Sequence, residues 1–218
     1  MKLRFLAVGV TVFALMAPAA LRANDERLKE AAAVLNDMAG KAEKGIPLDL
    51  IKSAKCLVII PGVKKMAVGI GGEYGKGYMN CRKTGGGWSA PGGISVKGGS
   101  AGLQLGGDST DVILVVRDEK GVEKLLAGKF TVGGDVGVSA GPVGADAATK
   151  AGKADILSYS HSKGAFAGIA LEGATISTDE DENKDLYGKK IENKEIVMGS
   201  TVKPPAAAAP LMTALAKY

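Results

Sequence analysis

The chain has 218 residues, 46% of them hydrophobic but only 5% aromatic, with 32 glycines, two cysteines and a single histidine. Its formal net charge is +5, but Lys2, Arg4 and Arg22 belong to an N-terminal segment that reads as removable. Without them 25 basic residues face 23 acidic ones, a net of +2. The adjacent basic pairs of the core region are only Lys64-Lys65 and Arg82-Lys83, which excludes the dense basic stripe of a general nucleic-acid binder.

Residues 1–23 are read as a Sec-type signal peptide: basic residues, an apolar run from Phe5 to Ala17, then Ala19, Ala20 and Ala23. Cleavage is expected after Ala23, with Ala19 or Ala20 as alternatives. The apolar run is short of the roughly 20 residues that span a bilayer. No cysteine precedes Cys56, so attachment through a lipidated N-terminal cysteine is not expected. The expected location is therefore exported, periplasmic or envelope-associated, and peripheral to the membrane. The roughly 195 residues that remain suit one domain over 24–218.

Residues 25–44 predict an amphipathic helix capped by Asn24, with Leu28, Ala31, Leu35, Met38 and Ala42 on one face and Gly45 and Pro47 as its stop. A short helix follows from Pro47 to Ala54. Cys56 to Ile60 reads as a buried strand ended by Pro61-Gly62. From Met66 to Gly107 glycine is too dense for a helix, since each interior glycine costs about 1 kcal/mol there. Curved antiparallel strands at 66–82, 88–98 and 100–107 are expected instead. Val112-Ile113-Leu114-Val115-Val116 is continuously apolar and β-branched, as in a strand covered on both faces. Asp118 to Ala127 is the next helix, with Gly128 as its stop. Strands are expected at Phe130–Ala140, Ile156–Ser162 and Ala165–Ile176, the last broken by Gly168 and Gly173. The acidic run from Thr178 to Asp185 reads as a solvated loop or a fragment of helix, and the tail after Pro204-Pro205 as a terminal helix. The fold class is α+β: N-terminal helices, a strongly curved, mostly antiparallel glycine-rich sheet or half-barrel, one interposed helix and a C-terminal helix.

Catalytic patterns are present only in outline. Gly98-Gly99-Ser100-Ala101-Gly102 and Gly137-Val138-Ser139-Ala140-Gly141 fit the G-x-S-x-G pattern, with His161 as the available base. A nucleophile elbow needs a helix straight after the serine, and neither site offers one. Gly69 to Gly77 lacks the G-K-[ST] ending of a phosphate loop. Asp179, Asp181 and Asn183 open like a calcium loop, but Lys184 and Lys190 occupy the glycine and glutamate positions. No catalytic residue, metal or cofactor is expected. Cys56 and Cys81 could bond in an oxidising compartment, closing a loop of about 26 residues worth roughly 3 kcal/mol. Zinc would need ligands beyond this pair and His161.

Several segments then fall in a telling order: Val58-Ile59-Ile60-Pro61, Gly71-Gly72-Glu73-Tyr74-Gly75-Lys76-Gly77, Trp88-Ser89-Ala90-Pro91, Gly102-Leu103-Gln104-Leu105-Gly106, Tyr159-Ser160-His161-Ser162-Lys163-Gly164 and Tyr187-Gly188. In this order they resemble the SYLF family of lipid-binding domains, whose eukaryotic members include yeast actin-regulating proteins. The resemblance spans about Asn24 to Leu215. It implies a non-enzymatic protein that docks on anionic phospholipid or a membrane surface. It also implies a lipid-binding set made of the 25–44 helix with Lys29, Lys41 and Lys44, followed by Lys52, Lys55, Lys64 and Lys65. An exported protein would not meet actin. The alternative is an envelope structural or protein-interaction module with an envelope protein partner, and a serine hydrolase is the third reading.

Overall fold

The computed structural model describes residues 19–40, 45–68, 70–100, 108–132, 137–141, 152, 154–162, 165–167, 171 and 173–218. Helix α1 runs Ala19–Met38 and α2 Leu48–Ser53. The predicted 25–44 helix is thus shifted: it begins six residues earlier and ends at Met38, and Lys41 and Lys44 lie outside the described residues. Among these residues no helix is long and apolar enough to cross a membrane.

Strands β1 (Cys56–Val68), β2 (Ile70–Cys81), β3 (Gly92–Ser100) and β4 (Asp108–Val116) form the antiparallel heart of the sheet. Helix α3 (Glu119–Leu126) follows, then β5 (Lys129–Thr131), β6 (Val138–Ala140), β7 (Ile156–Ser162), β8 (Ala165–Ala167) and β9 (Thr175–Thr178). The chain ends in α4 (Glu180–Tyr187), α5 (Asn193–Met198), a 3-10 turn at Ala206–Ala208 and α6 (Ala209–Leu215). The strands are ordered β5-β9-β3-β2-β1-β4-β7-β6 in one curled half-barrel sheet, and β8 shares the outer edge of β7.

Both faces of this sheet are covered over its centre, which is why the β4 run carries no polar alternation. Ile113 and Val115 pack outward with Leu57, Ile59, Tyr78 and Tyr159 beneath α1, α2 and α6. Val112, Leu114 and Val116 pack inward with Val58, Ile60, Ile94 and Val96, against α3 and α5.

Two strand expectations need correcting. Pro61-Gly62 does not end the first strand. It makes a bulge, with Gly62 at φ 59 and its N–H donating to Asp111 Oδ1 at 2.8 Å, and β1 continues to Val68. A bulge tolerates proline because one ladder bond is already given up. Phe130–Ala140 is not one strand either. Lys129–Thr131 pairs with β9 and Val138–Ala140 with β7, at opposite ends of the sheet. Of the predicted strand at 100–107, residues 101–107 lie outside the described residues.

Candidate functional site

The bulge sets the site. Before it, even-numbered residues of β1 face inward (Val58, Ile60). After it Val63 does, although only three positions separate Ile60 from Val63. The extra residue flips the parity and turns exposed Lys64 to the outer face, directly across from Tyr74 of β2, whose partner on β3 is Lys97. One cross-strand row therefore reads Ser109, Lys64, Tyr74, Lys97, Thr175. It continues the face that holds Tyr78 and Ile59 in the helix-covered core, but Tyr74 is 46% exposed.

Two grooves meet along Tyr74 and Lys76. One, about 360 Å³, is bounded by Arg27 and Glu30 of α1, Lys64 and Ser109. The other, about 490 Å³, is bounded by Ser95, Lys97, Ser177 and Asp179 to Asp181. Lys64 and Lys97 make no ion pair among the described residues, whereas Lys76 is held by Asp179 Oδ2 at 2.8 Å and Glu182 Oε2 at 3.4 Å.

Glu182 is the hub of this corner. Its side chain is 2% exposed and accepts from Tyr78 Oη at 2.6 Å and from Arg27 Nη1 at 2.8 and 3.0 Å. A buried carboxylate is tolerable only with such donors. Burial and the Glu182 charge hold the Tyr78 phenol well above its usual range, so it stays a hydrogen-bond donor. Burial would lower the pKa of Lys76, but the hydrogen bond and charge of Asp179 and the charge of Glu182 outweigh it, and its ammonium is stabilised. Desolvation works on Arg27 in the same way and is outweighed by Glu182 and Tyr78.

Of the two readings of the acidic run, the helix holds and the solvated loop does not: it forms α4, with Glu182 and Asn183 buried. Asp179 caps α4, accepting the Glu182 N–H at 2.9 Å, and Asn183 is buried, donating to Ile191 O and accepting the Gly93 N–H. The signal was in the sequence: Asp179-x-x-Glu182 has the spacing of an N-cap and its third helical residue, and Gly188 is the left-handed stop.

The sequence-derived lysines do not form one patch. Lys29 is exposed on α1, and Lys64 joins the row above. Lys52 lies on α2 and Lys55 just before the far end of β1, about 30 Å from Lys64 by strand rise, where Lys55 pairs with Glu119 at 3.1 Å. Lys65 stands opposite Glu73 in the ladder, and its side chain is not described. Arg27, Tyr74, Lys76 and Lys97 were missed, because strand pairing and not chain proximity gathers them. Cys56 and Cys81 are ladder partners and are bonded, with sulfurs 2.04 Å apart.

The hydrolase groups are not assembled. Ser139 pairs beside Leu157, four positions or about 13 Å along β7 from His161. Ser100 sits on β3, four strand spacings or about 19 Å from β7. His161 Nδ1 instead lies 3.4 Å from Asp37 Oδ2 of α1.

By class this is an α+β half-barrel domain in which, among the described residues, the sheet runs out from under its helices at the exposed row of Lys64, Tyr74 and Lys97. Residues 97–218, more than half of the chain, match the family described as "Ysc84: Las17-binding protein actin regulator", and the chain belongs to that family. It is 38% identical over 180 residues to LAS seventeen-binding protein 3 of Saccharomyces cerevisiae, covering 80% of this chain and 39% of that protein. It is 38% identical over 172 residues to Protein YSC84 of the same yeast, covering 76% and 36%. With SH3 domain-containing YSC84-like protein 1 of Homo sapiens it shares 30% over 169 residues, covering 76% and 49%. The chain thus matches less than half the length of each of these relatives. The SYLF resemblance of its motifs stands within this family.

Proposed function

We propose that the protein is a non-enzymatic, peripheral binder of anionic phospholipid that docks through the outer face at Lys64, Tyr74 and Lys97. One observation carries the reading: two exposed lysines, without ion pairs among the described residues, flank an exposed tyrosine in one row across the sheet. A basic residue near an anionic membrane contributes about 1 kcal/mol, and the amphipathic tyrosine ring suits the headgroup boundary. Residues 1–23, read as an export signal from their sequence pattern, would put this docking in the periplasm or elsewhere in the cell envelope.

The test is co-sedimentation with phosphatidylcholine vesicles, with and without phosphatidylglycerol, at low and physiological salt. Binding should require the anionic lipid, fade with salt and fall at least tenfold in the Lys64→Glu, Lys97→Glu double variant. Binding that ignores both lysines would remove this face from the mechanism. The second reading, a protein-interaction module, is favoured by the yeast relative named for binding another protein. It predicts a discrete protein partner that is lost with the same double variant, and no discrimination among vesicles.

A further inference from the structure

Independently of the lipid reading, we infer that α6 and the turn before it form a lid that opens and closes on the folded domain, at the disulfide end and away from the cationic row. The helix is apolar where its seat is not. Asn80, the ladder partner of Leu57 on the outer face, and Trp88 of the same outer layer are both buried, and Asn80 Oδ1 and Trp88 Nε1 have no hydrogen-bond partner. The amide cannot be turned over to cure this. Its Nδ2 donates to Ser89 O at 2.9 Å, and the flipped group would set oxygen against oxygen. Met212 of α6 reaches the spot, with Sδ 3.8 Å from Asn80 Nδ2, but a thioether has no proton to give the amide oxygen and is a weak acceptor for the indole. Closing α6 over this floor strips water from two polar groups and returns no strong bond to either.

Little else holds the element shut. Its large buried side chains are Leu211 and Leu215, whereas α1 buries Leu28, Val34, Leu35 and Met38. Neither the 3-10 turn nor α6 has a side-chain cap at its start, and a helix this short is marginal on its own. Val202 still packs on the inner apolar layer, but Lys203 and Pro204 beyond it are exposed, which places the hinge there. At the other end Arg82, stacked 3.9 Å over the Trp88 ring, donates to Tyr218 O at 2.9 Å, and exposed Lys217 donates to Asn36 Oδ1 at 2.7 Å. Few buried apolar groups and an exposed hinge are the marks of a segment that opens locally. Opening hydrates Asn80 Oδ1 and Trp88 Nε1 and uncovers the flank of α1 on which α6 packs.

Hydrogen–deuterium exchange of the full chain, read by mass spectrometry, tests this together with acrylamide quenching of Trp88, the single tryptophan. In wild type the amides of α6 should exchange about a hundredfold faster than those of α1. Met212→Gln puts a carboxamide, both donor and acceptor, where the thioether stands. It should slow exchange in α6 about tenfold, the net worth of one hydrogen bond, and reduce the quenching, with α1 unchanged. Met212→Leu keeps the floor unsatisfied and should leave the exchange of α6 as in wild type. Wild-type α6 amides as protected as those of α1 would overturn the lid outright. A folded Met212→Gln protein whose α6 exchanges no more slowly than wild type, or no more slowly than Met212→Leu, overturns the polar floor as its cause.

Discussion

Of the glycines described on β2, Gly77 has the least room for a side chain. A Cβ there would sit 2.7 Å from the Ile60 Cα and closer still to the Ile59 carbonyl oxygen, both backbone atoms that cannot rotate away. Gly77→Ala should therefore cost about 1–3 kcal/mol, toward the upper end for a clash with main chain, measured as a lowered denaturant midpoint. The same residue explains why glycine density here signals a strand: the missing side chain lets β1 approach where it bulges. Glu182 presents the opposite case, a residue whose type gave no warning of its place. Acidic residues are almost never fully buried unless paired, and its partners Arg27, Lys76 and Tyr78 stand more than 100 positions away in sequence.

At the scale of elements, α3 is fastened to the start of β7 by Lys124, whose Nζ donates to Asp155 Oδ2 at 2.9 Å. That hydrogen bond, against a smaller opposing desolvation and with help from the Lys124 charge, holds the Asp155 carboxyl below its ordinary value. Since the folded pKa is the depressed one, the contribution is complete above about pH 4 and disappears as pH falls through the lower folded value. Both groups are partly solvated, so the difference in stability between wild type and Asp155→Asn should be within about 1 kcal/mol at neutral pH and shrink below about pH 4 in acid titrations followed by circular dichroism. Elements whose apolar pattern is local could be read directly: α2, β4, α3, β7 and the terminal helix. The bulge could not, because Pro61-Gly62 is also how a strand ends, and only the register beyond it shows that pairing resumes at Val63 and Lys64. Nor could the division of Phe130–Ala140, whose two halves are distinguished by partners 44 or more residues away in β9 and about 18 away in β7. The site shared this fate: Lys64 was legible as a candidate, but its companions Tyr74 and Lys97 were not, since a row across three strands has no signature along the chain.

For the whole molecule, two apolar layers lie on either side of one sheet, and among the described residues the row of Lys64, Tyr74 and Lys97 emerges exposed beyond the outer layer. The Cys56–Cys81 bond lies at the opposite end of the β1–β2 ladder from that row. Its effect falls mainly on the unfolded ensemble, so a Cys56→Ala, Cys81→Ala variant should lose about 2–3 kcal/mol in thermal unfolding while its vesicle binding stays the same. The strand order carries a mechanical consequence as well. Eight strands laid flat at about 4.8 Å spacing would put β5 and β6 about 34 Å apart, but the seven residue steps from Thr131 to Val138 reach at most about 24 Å. The connector is a drawstring: its contour length alone forbids a flat sheet, so the cationic face can never be unrolled without first pulling an edge strand out of its ladder.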